Sequence, residues 1–363
     1  MTEYVHISIK NHIGCITLNR PRALNSLSLE MIRAITEVLL EWRADGAIRA
    51  VLICSSSAKA FCAGGDIRFF YDIGTATPRG GSALLEDFFT EEYTLNHLIH
   101  HYPKPYIALM DGVVMGGGMG VAQAGPASRL RIVTERTKMA MPEVNIGMFP
   151  DVGSGYFLSQ CPGQIGAYLG VTGDIITAAD ALYAGLADFF LPSPQLPVLT
   201  EMLESGDDIE VRTAICDFAA GFDNAIAPEA GMLAVHRDVI DRHFAQSTVP
   251  DIIKSLAQDD APFAQKTLAL MQKRSPLMMC VTLEQIRRSA ALSVADCLRM
   301  ERTMVRHCFE QGEVIEGVRA LVVDKDNAPQ WSPATLAAVT PDMIAAFFAP
   351  VWPPHAHPLR SLE

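Results

Sequence analysis

The chain has 363 residues, enough for two domains or for one large core with an extension. Hydrophobic residues make up 49% and charged residues 19%, a balance that excludes the low-hydrophobicity, high-charge range of disordered chains. Lys and Arg number 29 against 41 Asp and Glu, and the net charge of −12 gives no broad attraction to nucleic acid or anionic lipid, so neither is an expected partner.

Residues 4–10 alternate apolar and polar side chains, residues 13–19 do so less strictly, and Asn11-His12 breaks the two runs; this pattern predicts a half-buried hairpin. Ser28 is placed to cap a helix whose Met31, Ile32, Ile35, Val38, Leu39 and Trp42 recur at three- and four-residue intervals, with Gly46 as its stop. A buried strand is expected at 51–54. Leu84, Leu85, Phe88, Phe89, Leu95 and Leu98 form the apolar stripe of a further helix that carries Glu92. Strand-like runs follow at 106–110, 130–134 and 139–141, separated by glycine-rich or helical stretches, so the first half has a β/α rhythm. Beyond about residue 200 helical periods dominate, at 208–219, 252–257, 263–273 and 295–309. Pro192, Pro194 and Pro197 punctuate the change and place a boundary near 205, dividing 1–205 from 206–363. The tail, with Pro350, Pro353, Pro354 and Pro358, is too proline-rich for regular structure and is expected to fray or to wrap a neighbour.

Eight cysteines are scattered without a C-x-x-C pair, several within apolar runs, and read as reduced core residues. The first residues lack a basic segment followed by an apolar one, and no apolar run is long enough to span a bilayer, so a cytoplasmic location and no membrane partner are expected. The ten histidines include no H-E-x-x-H, and His100-His101 is not at metal-ligand spacing; no metal is expected.

Three segments could carry chemistry. Phe61-Cys62-Ala63-Gly64-Gly65-Asp66-Ile67 and Met115-Gly116-Gly117-Gly118-Met119-Gly120 each follow a strand-like run, and glycine turns of this kind can aim backbone N–H groups at one oxyanion. On spacing alone they read first as two tight turns, and neither has the G-x-G-x-x-G or G-x-x-x-x-G-K-[ST] spacing of a nucleotide site. The third segment, from Met141 through Glu143 and Asp151 to Gly153, sets two carboxylates among apolar residues, prolines and glycines. Apolar surroundings disfavour the ionised form and poise such acids for proton transfer, although loop capping explains the same residues. Cys62 lies beside the first turn with no histidine in the motif, and reads as a small core residue rather than a nucleophile.

In their order and spacing these segments, with Asn19-Arg20-Pro21 before them and Ala60 to Asp66 as an A-F-x-A-G-x-D turn, resemble the crotonase superfamily, the enoyl-CoA hydratase/isomerase family. The resemblance implies an α/β fold, a crotonase-like β/α spiral core followed by a mainly helical C-terminal region. It also implies an acyl-CoA thioester substrate, with coenzyme A as part of that substrate and no separate cofactor, and homo-oligomers are common in the family. Gly65 and Gly117 match the two backbone donors that bind the thioester carbonyl, with Gly64 beside them. Hydratases of the family carry one catalytic glutamate two residues after the G-G-G and another in the P-E segment; those positions here are Gly120 and Glu143, and loss of the first acid removes half of the water-adding pair. Phe88-Phe89-Thr90-Glu91-Glu92-Tyr93, Phe149-Pro150-Asp151-Val152-Gly153, and the far segments from Glu316 to Ala320, Asp324 to Asp326 and Pro329 to Trp331 are similar to the branch that hydrolyses 3-hydroxyisobutyryl-CoA in valine catabolism. In that branch the residues matching Glu92, Gly117, Glu143 and Asp151 contact substrate or act in catalysis. On this resemblance Glu143 is the expected general base or nucleophile and Asp151 orients water or shares the proton. Glu92 reads alternatively as a solvated helical charge. In so acidic a chain the coenzyme phosphates would need local cations, for which Arg20, Arg22, Lys59 and Arg68 are candidates that read otherwise as surface charges. A hydratase or isomerase on the same fold, or a non-catalytic acyl-CoA-binding protein, are the competing functions.

Overall fold

The computed structural model describes residues 2–79, 81–205 and 210–363. The chain divides into two compact units, Met1–Gly65 with Leu95–Met139 and Ile176–Val235, and Asp66–Thr94 with Ala140–Ile175 and His236–Glu363. The units are interleaved along the sequence, and so are drawn differently from a single cut near residue 205: the polypeptide leaves the first unit after Gly65, Met139 and Val235, at none of which does the composition change.

The first unit carries the sheets. Among the described residues the strands are β1 Val5–Lys10, β2 Ile13–Leu18, β3 Ala50–Ser55, β4 Ala60–Cys62, β5 Tyr106–Met110, β6 Val113–Met115, β7 Arg129–Val133, β8 Lys138–Ala140 and β9 Phe189–Phe190. The expected hairpin is β1–β2, antiparallel from Val5 opposite Leu18 to Lys10 opposite Ile13. Asn11 and His12 have φ of 42° and 67°, the pair of positive values that lets a two-residue turn follow the strand twist. The larger sheet runs β1-β2-β3-β5-β7-β9, parallel from β2 onward, and a separate three-stranded sheet is ordered β4-β6-β8. The runs expected as strands at 51–54, 106–110, 130–134 and 139–141 all form, to within a residue or two at their ends. β4, β6 and β9, of two or three residues each, are not among the expected strands.

Along the large sheet Ile13 and Cys15, Ala50 and Leu52, Ile107 and Leu109, and Leu130 and Ile132 point to one face. Their two-residue alternation builds a core with Leu196, Leu199 and Leu203 of the Leu196–Ser205 helix and Val211, Ile215 and Ala219 of the Val211–Ala220 helix. The latter is the helix expected at 208–219, whose first two residues lie outside the described ones. The helix Leu29–Ala44 is capped by Ser28, which accepts from the Met31 N–H, and its six periodic residues are its buried ones.

The second unit is helical. The expected periods at 252–257, 263–273 and 295–309 appear as the helices Val249–Ala257, Pro262–Met271 and Val294–Gln311. Ile165–Thr172 is buried along its whole length and packs on the Pro276–Ser289 helix. A cluster of rings joins Phe70 to Phe88 at 4.9 Å and to Phe89 at 5.0 Å, with Phe309 5.7 Å from Phe89, so the residues around 88–89 sit against the Ile67–Ala76 and Val294–Gln311 helices. The proline-rich tail does not fray. Leu359 and Leu362 are buried, and Arg299 donates from Nε to the Leu359 carbonyl at 3.1 Å and also to that of Leu362, fastening the last turn to the Val294–Gln311 helix of the same chain. Proline prevents regular structure there, but the two leucines that follow supply the apolar anchors.

Candidate active site

The first unit builds the glycine turns. β4 and β6 are parallel neighbours, with Ala60 beside Val113 and Cys62 beside Val114, so the two glycine-rich segments leave the same end of one small sheet. Gly64 has φ of +104°, and a side chain there would meet the Met115 carbonyl at 3.1 Å and the Gly117 nitrogen at 3.5 Å; a Cβ on Gly118 would lie 2.3 Å from the Cys62 carbonyl. Only glycine lets these backbones approach so closely. Gly116, with φ 51° and ψ −123°, precedes the short helical turn Gly117–Gly120. Among the described residues neither the Gly65 nor the Gly117 N–H donates to the protein, which leaves both for an incoming oxygen.

The first turn is held from behind by Asn25, a residue without an expected role. Its buried amide donates to the Phe61 carbonyl at 3.0 Å and to Ser55 Oγ at 2.7 Å, while its Oδ1 accepts from the Arg20 N–H at 2.7 Å. Leu27 N–H donates to the Gly64 carbonyl at 2.7 Å, and the Cys62 thiol to the Asn25 carbonyl at 3.0 Å, which gives Cys62 the core role expected of it. The sequence signal for Asn25 is an asparagine a few residues after Asn-Arg-Pro, where its φ of 56° suits asparagine better than most residues.

The expected cations divide. Arg22 and Lys59 are exposed on the first unit. Arg20 donates to the Ser26 carbonyl and hydroxyl and lies over the Tyr4 ring. Arg68, in the second unit, pairs with Asp72 at 3.2 Å on its own helix, so a phosphate-binding role for it has a competing partner.

The second unit gathers the acids. Glu92, Glu143 and Asp151 are 2%, 7% and 6% exposed, and a fourth, Glu301, is fully buried with them. Glu92 is therefore not a solvated charge. It occupies the centre of the arc formed by Leu85, Phe88, Phe89, Tyr93 and Leu95 on the Ala83–His100 helix, whereas Leu84, expected on the stripe, is at the edge of that arc and is exposed. Pro142 leads into the short turn Glu143–Ile146, closed by Gly147 with φ 68°, and buries Glu143. Asp151 follows buried Phe149 and Pro150, and its Oδ2 accepts from the Tyr93 hydroxyl at 2.7 Å. Among the described residues Glu92 Oε1 and Glu143 Oε2 have no hydrogen-bond partner.

Burial raises all four carboxyls, and repulsion from neighbouring acids raises Glu92, Glu143 and Glu301 further. Desolvation and then the charges of Asp151 and Glu143 push Glu92 well above the usual carboxylate range. Desolvation and the Asp151 and Glu301 charges do the same to Glu143, against a backbone hydrogen bond that lowers it. Asp151 is pushed up to about 7 by burial despite the Tyr93 hydroxyl, and Glu301 to about 8 by burial against the N–H groups of Gly153 and Gly155. At neutral pH such a cluster is partly protonated and offers both an acid and a base. Glu301 was not expected in the site, although Cys297, Leu298, Glu301, Met304, Val305 and Cys308 share one buried helical face and an acid within such a stripe is a legible anomaly.

The sequence profile of the enoyl-CoA hydratase/isomerase family matches residues 13–348. The chain is 40% identical over 338 residues to a protein of Xenopus tropicalis named 3-hydroxyisobutyryl-CoA hydrolase, mitochondrial, covering 92% of this chain and 86% of that one. It is 39% identical over 354 residues to the protein of the same name from Rattus norvegicus, covering 96% and 89%. A solved structure of a carnitinyl-CoA dehydratase from Mycobacterium thermoresistibile superposes with a TM-score of 0.88 at 40% identity, over 97% of this chain and 98% of that one.

Titration of the buried acids should be visible in stability. A carboxyl whose folded value lies above its ordinary value of 3.8 or 4.5 contributes stability in its protonated form, which is fully present below the ordinary value and is lost as pH rises through the folded one. Glu313, another buried acid of the second unit, accepts from the Ser275 hydroxyl at 2.6 Å and is raised by burial. For Asp151, Glu301 and Glu313 the folded values are about 7, about 8 and about 7, so Tm should fall as pH is raised from about 5 to about 8. Glu92→Gln should raise Tm at the upper end of that range; a Tm that climbs across it, or falls further in the variant, contradicts the shared titration. The profile match and the identity over nine-tenths of its length show that the chain belongs to the enoyl-CoA hydratase/isomerase family.

Proposed function

We propose that the protein is an acyl-CoA thioester hydrolase that converts 3-hydroxyisobutyryl-CoA and water to 3-hydroxyisobutyrate and coenzyme A. The observation that carries this reading is the set Glu92, Glu143 and Asp151 buried together while Gly120 stands where a hydratase needs a second acid. The names of the two relatives agree with it. In this reading the N–H groups of Gly65 and Gly117 hold the thioester oxygen as it gains charge. Glu143, once its proton has passed to Asp151, takes a proton from water as the water oxygen bonds to the carbonyl carbon; the C–S bond then breaks and the sulfur leaves as a thiol with the proton from Asp151, which restores the starting state of both acids. The same carboxylate could instead attack the carbonyl itself, forming an anhydride that water opens. The chemistry calls for no resident cofactor. Exposed Arg22 and Lys59 are proposed to meet the coenzyme phosphates. All eight cysteines carry free thiols, in keeping with a reducing compartment.

The name of the structural relative supports a second reading, dehydration or hydration of an acyl-CoA. It requires the chemistry to proceed without an acid at position 120. A panel of acyl-CoAs separates the two: 3-hydroxyisobutyryl-CoA should release free thiol while crotonyl-CoA is hydrated slowly, and the reverse pattern would refute hydrolysis. In a hydrolase Glu143→Gln and Asp151→Asn should each lower kcat by about 100-fold or more with substrate binding retained. Near-normal turnover in folded Glu143→Gln removes that residue from the mechanism.

Glu92 is proposed to accept from the 3-hydroxyl of the substrate, because its buried Oε1 has no partner among the described residues and a desolvated acceptor left alone is costly. An acyl group without that hydroxyl should lose about 10-fold or more in kcat/KM. Glu92→Ala should bring the ratio of kcat/KM for 3-hydroxyisobutyryl-CoA to that for isobutyryl-CoA close to one; an unchanged ratio assigns the preference elsewhere.

A further inference from the structure

The loop that carries Asp151 has a backbone that its own residues do not favour. Val152 has φ of +55° and Gly153 φ of +84°. Glycine adopts the left-handed region freely, but a β-branched residue does so at a cost, and persists there only where its surroundings over-determine the conformation. Val152 is also buried, so solvent does not relieve it.

Two helices of the second unit supply the constraint. Glu301, from Val294–Gln311, accepts from the Gly153 N–H at 2.7 Å through one oxygen and from the Gly155 N–H at 2.9 Å through the other. Gln285, from Pro276–Ser289, donates from Nε2 to the Pro150 carbonyl at 2.7 Å and to Glu301 Oε1 at 3.1 Å. The backbone is thus gripped one residue before Asp151 and two and four residues after it, by side chains that are both fully buried. A Cβ at Gly155 would lie 2.3 Å from Ser289 Oγ and 3.1 Å from Glu301 Oε1, so the glycine is what admits the carboxylate.

We propose that Glu301, braced by Gln285, is a positioning residue that holds the strained turn at Val152 and thereby fixes where the Asp151 carboxyl meets the substrate. The inference rests on the hydrolase reading for its kinetic consequence, though not for its structural one. Glu301 touches no reacting atom in this scheme; it acts through the backbone. The titratable groups facing it are Asp151, Glu143, Tyr93 and Cys297. Three donors converge on its two oxygens and favour the ionised form against the burial that raises the group, whereas an amide in its place sets a donor of its own against one of them at every pH.

The test compares Glu301→Gln, Val152→Gly and the double variant in the full chain. Glu301→Gln should lower kcat for 3-hydroxyisobutyryl-CoA by about 10- to 100-fold, the effect of a small misplacement, with KM changed by less than about threefold. The Gly153 and Gly155 amides should exchange about tenfold faster with solvent deuterium while the rest of the Val294–Gln311 helix keeps its protection. Val152→Gly removes the cost of the left-handed turn, so adding it to Glu301→Gln should recover kcat by about threefold or more. A folded Glu301→Gln protein with native kcat and native amide protection overturns the proposal, as does a loss of protection spread evenly over the whole unit. If the unmodified protein releases no thiol, the hydrolase reading fails, and the exchange experiment still decides whether Glu301 holds the turn.

Discussion

The second unit buries four carboxyl groups, Glu92, Glu143, Asp151 and Glu301, and the hydrogen-bond donors that reach Asp151 and Glu301 among the described residues are neutral. Carboxylates removed from water without cations beside them cannot all remain charged, because each added charge raises the proton affinity of the others. The fold carries this cost and converts it to use. A tyrosine hydroxyl on Asp151 and peptide N–H groups on Glu301 stabilise the ionised forms of two members, while Glu92 and Glu143 each keep a buried oxygen with no partner among the described residues. Protons are thereby distributed unevenly across the cluster, which is the condition for one carboxyl to take a proton while another gives one.

The first unit answers a different requirement. In the proposed reaction a developing oxyanion needs donors that do not reorganise, and peptide N–H groups at the ends of two paired strands are suited to that need. The turns that present Gly65 and Gly117 fit together only because Gly64 and Gly118 lack side chains, and they keep their place because Asn25 ties the strand before Gly64 to the loop that precedes it. Stability and function are opposed in the acids and aligned in these turns. Replacing a buried acid by an amide relieves repulsion at alkaline pH, whereas filling a glycine notch harms packing and chemistry together.

The parts legible in the sequence are those with a period or a motif. The hairpin β1–β2, the Leu29–Ala44 helix with its six buried residues, and the buried strands β3, β5 and β7 follow from alternation, three-to-four spacing and continuous apolar runs. The two glycine turns and the segment from Glu143 to Asp151 follow from order and spacing. Strands as short as β9 are formed by their neighbours rather than by their own residues, and tertiary pairing of that kind leaves no local trace. The interleaving of the two units escapes for a similar reason, since contacts and not composition define it. Glu301 lies about 150 residues from the loop it grips, a separation at which only the folded chain brings donor and acceptor together, and its one local sign is an acid within an apolar helical face.

Proton sharing among the buried acids is the claim on which the rest turns, and the infrared carbonyl stretch of a protonated carboxyl group, distinct from that of a carboxylate, measures it directly. At neutral pH the native protein should show this band, and the difference spectra against Glu92→Gln and against Asp151→Asn should remove or shift part of it. Spectra in which every carboxyl of the native protein is ionised at neutral pH, with no difference in either variant beyond a lost carboxylate, would contradict the shared titration and with it the assignment of acid and base roles to Asp151 and Glu143.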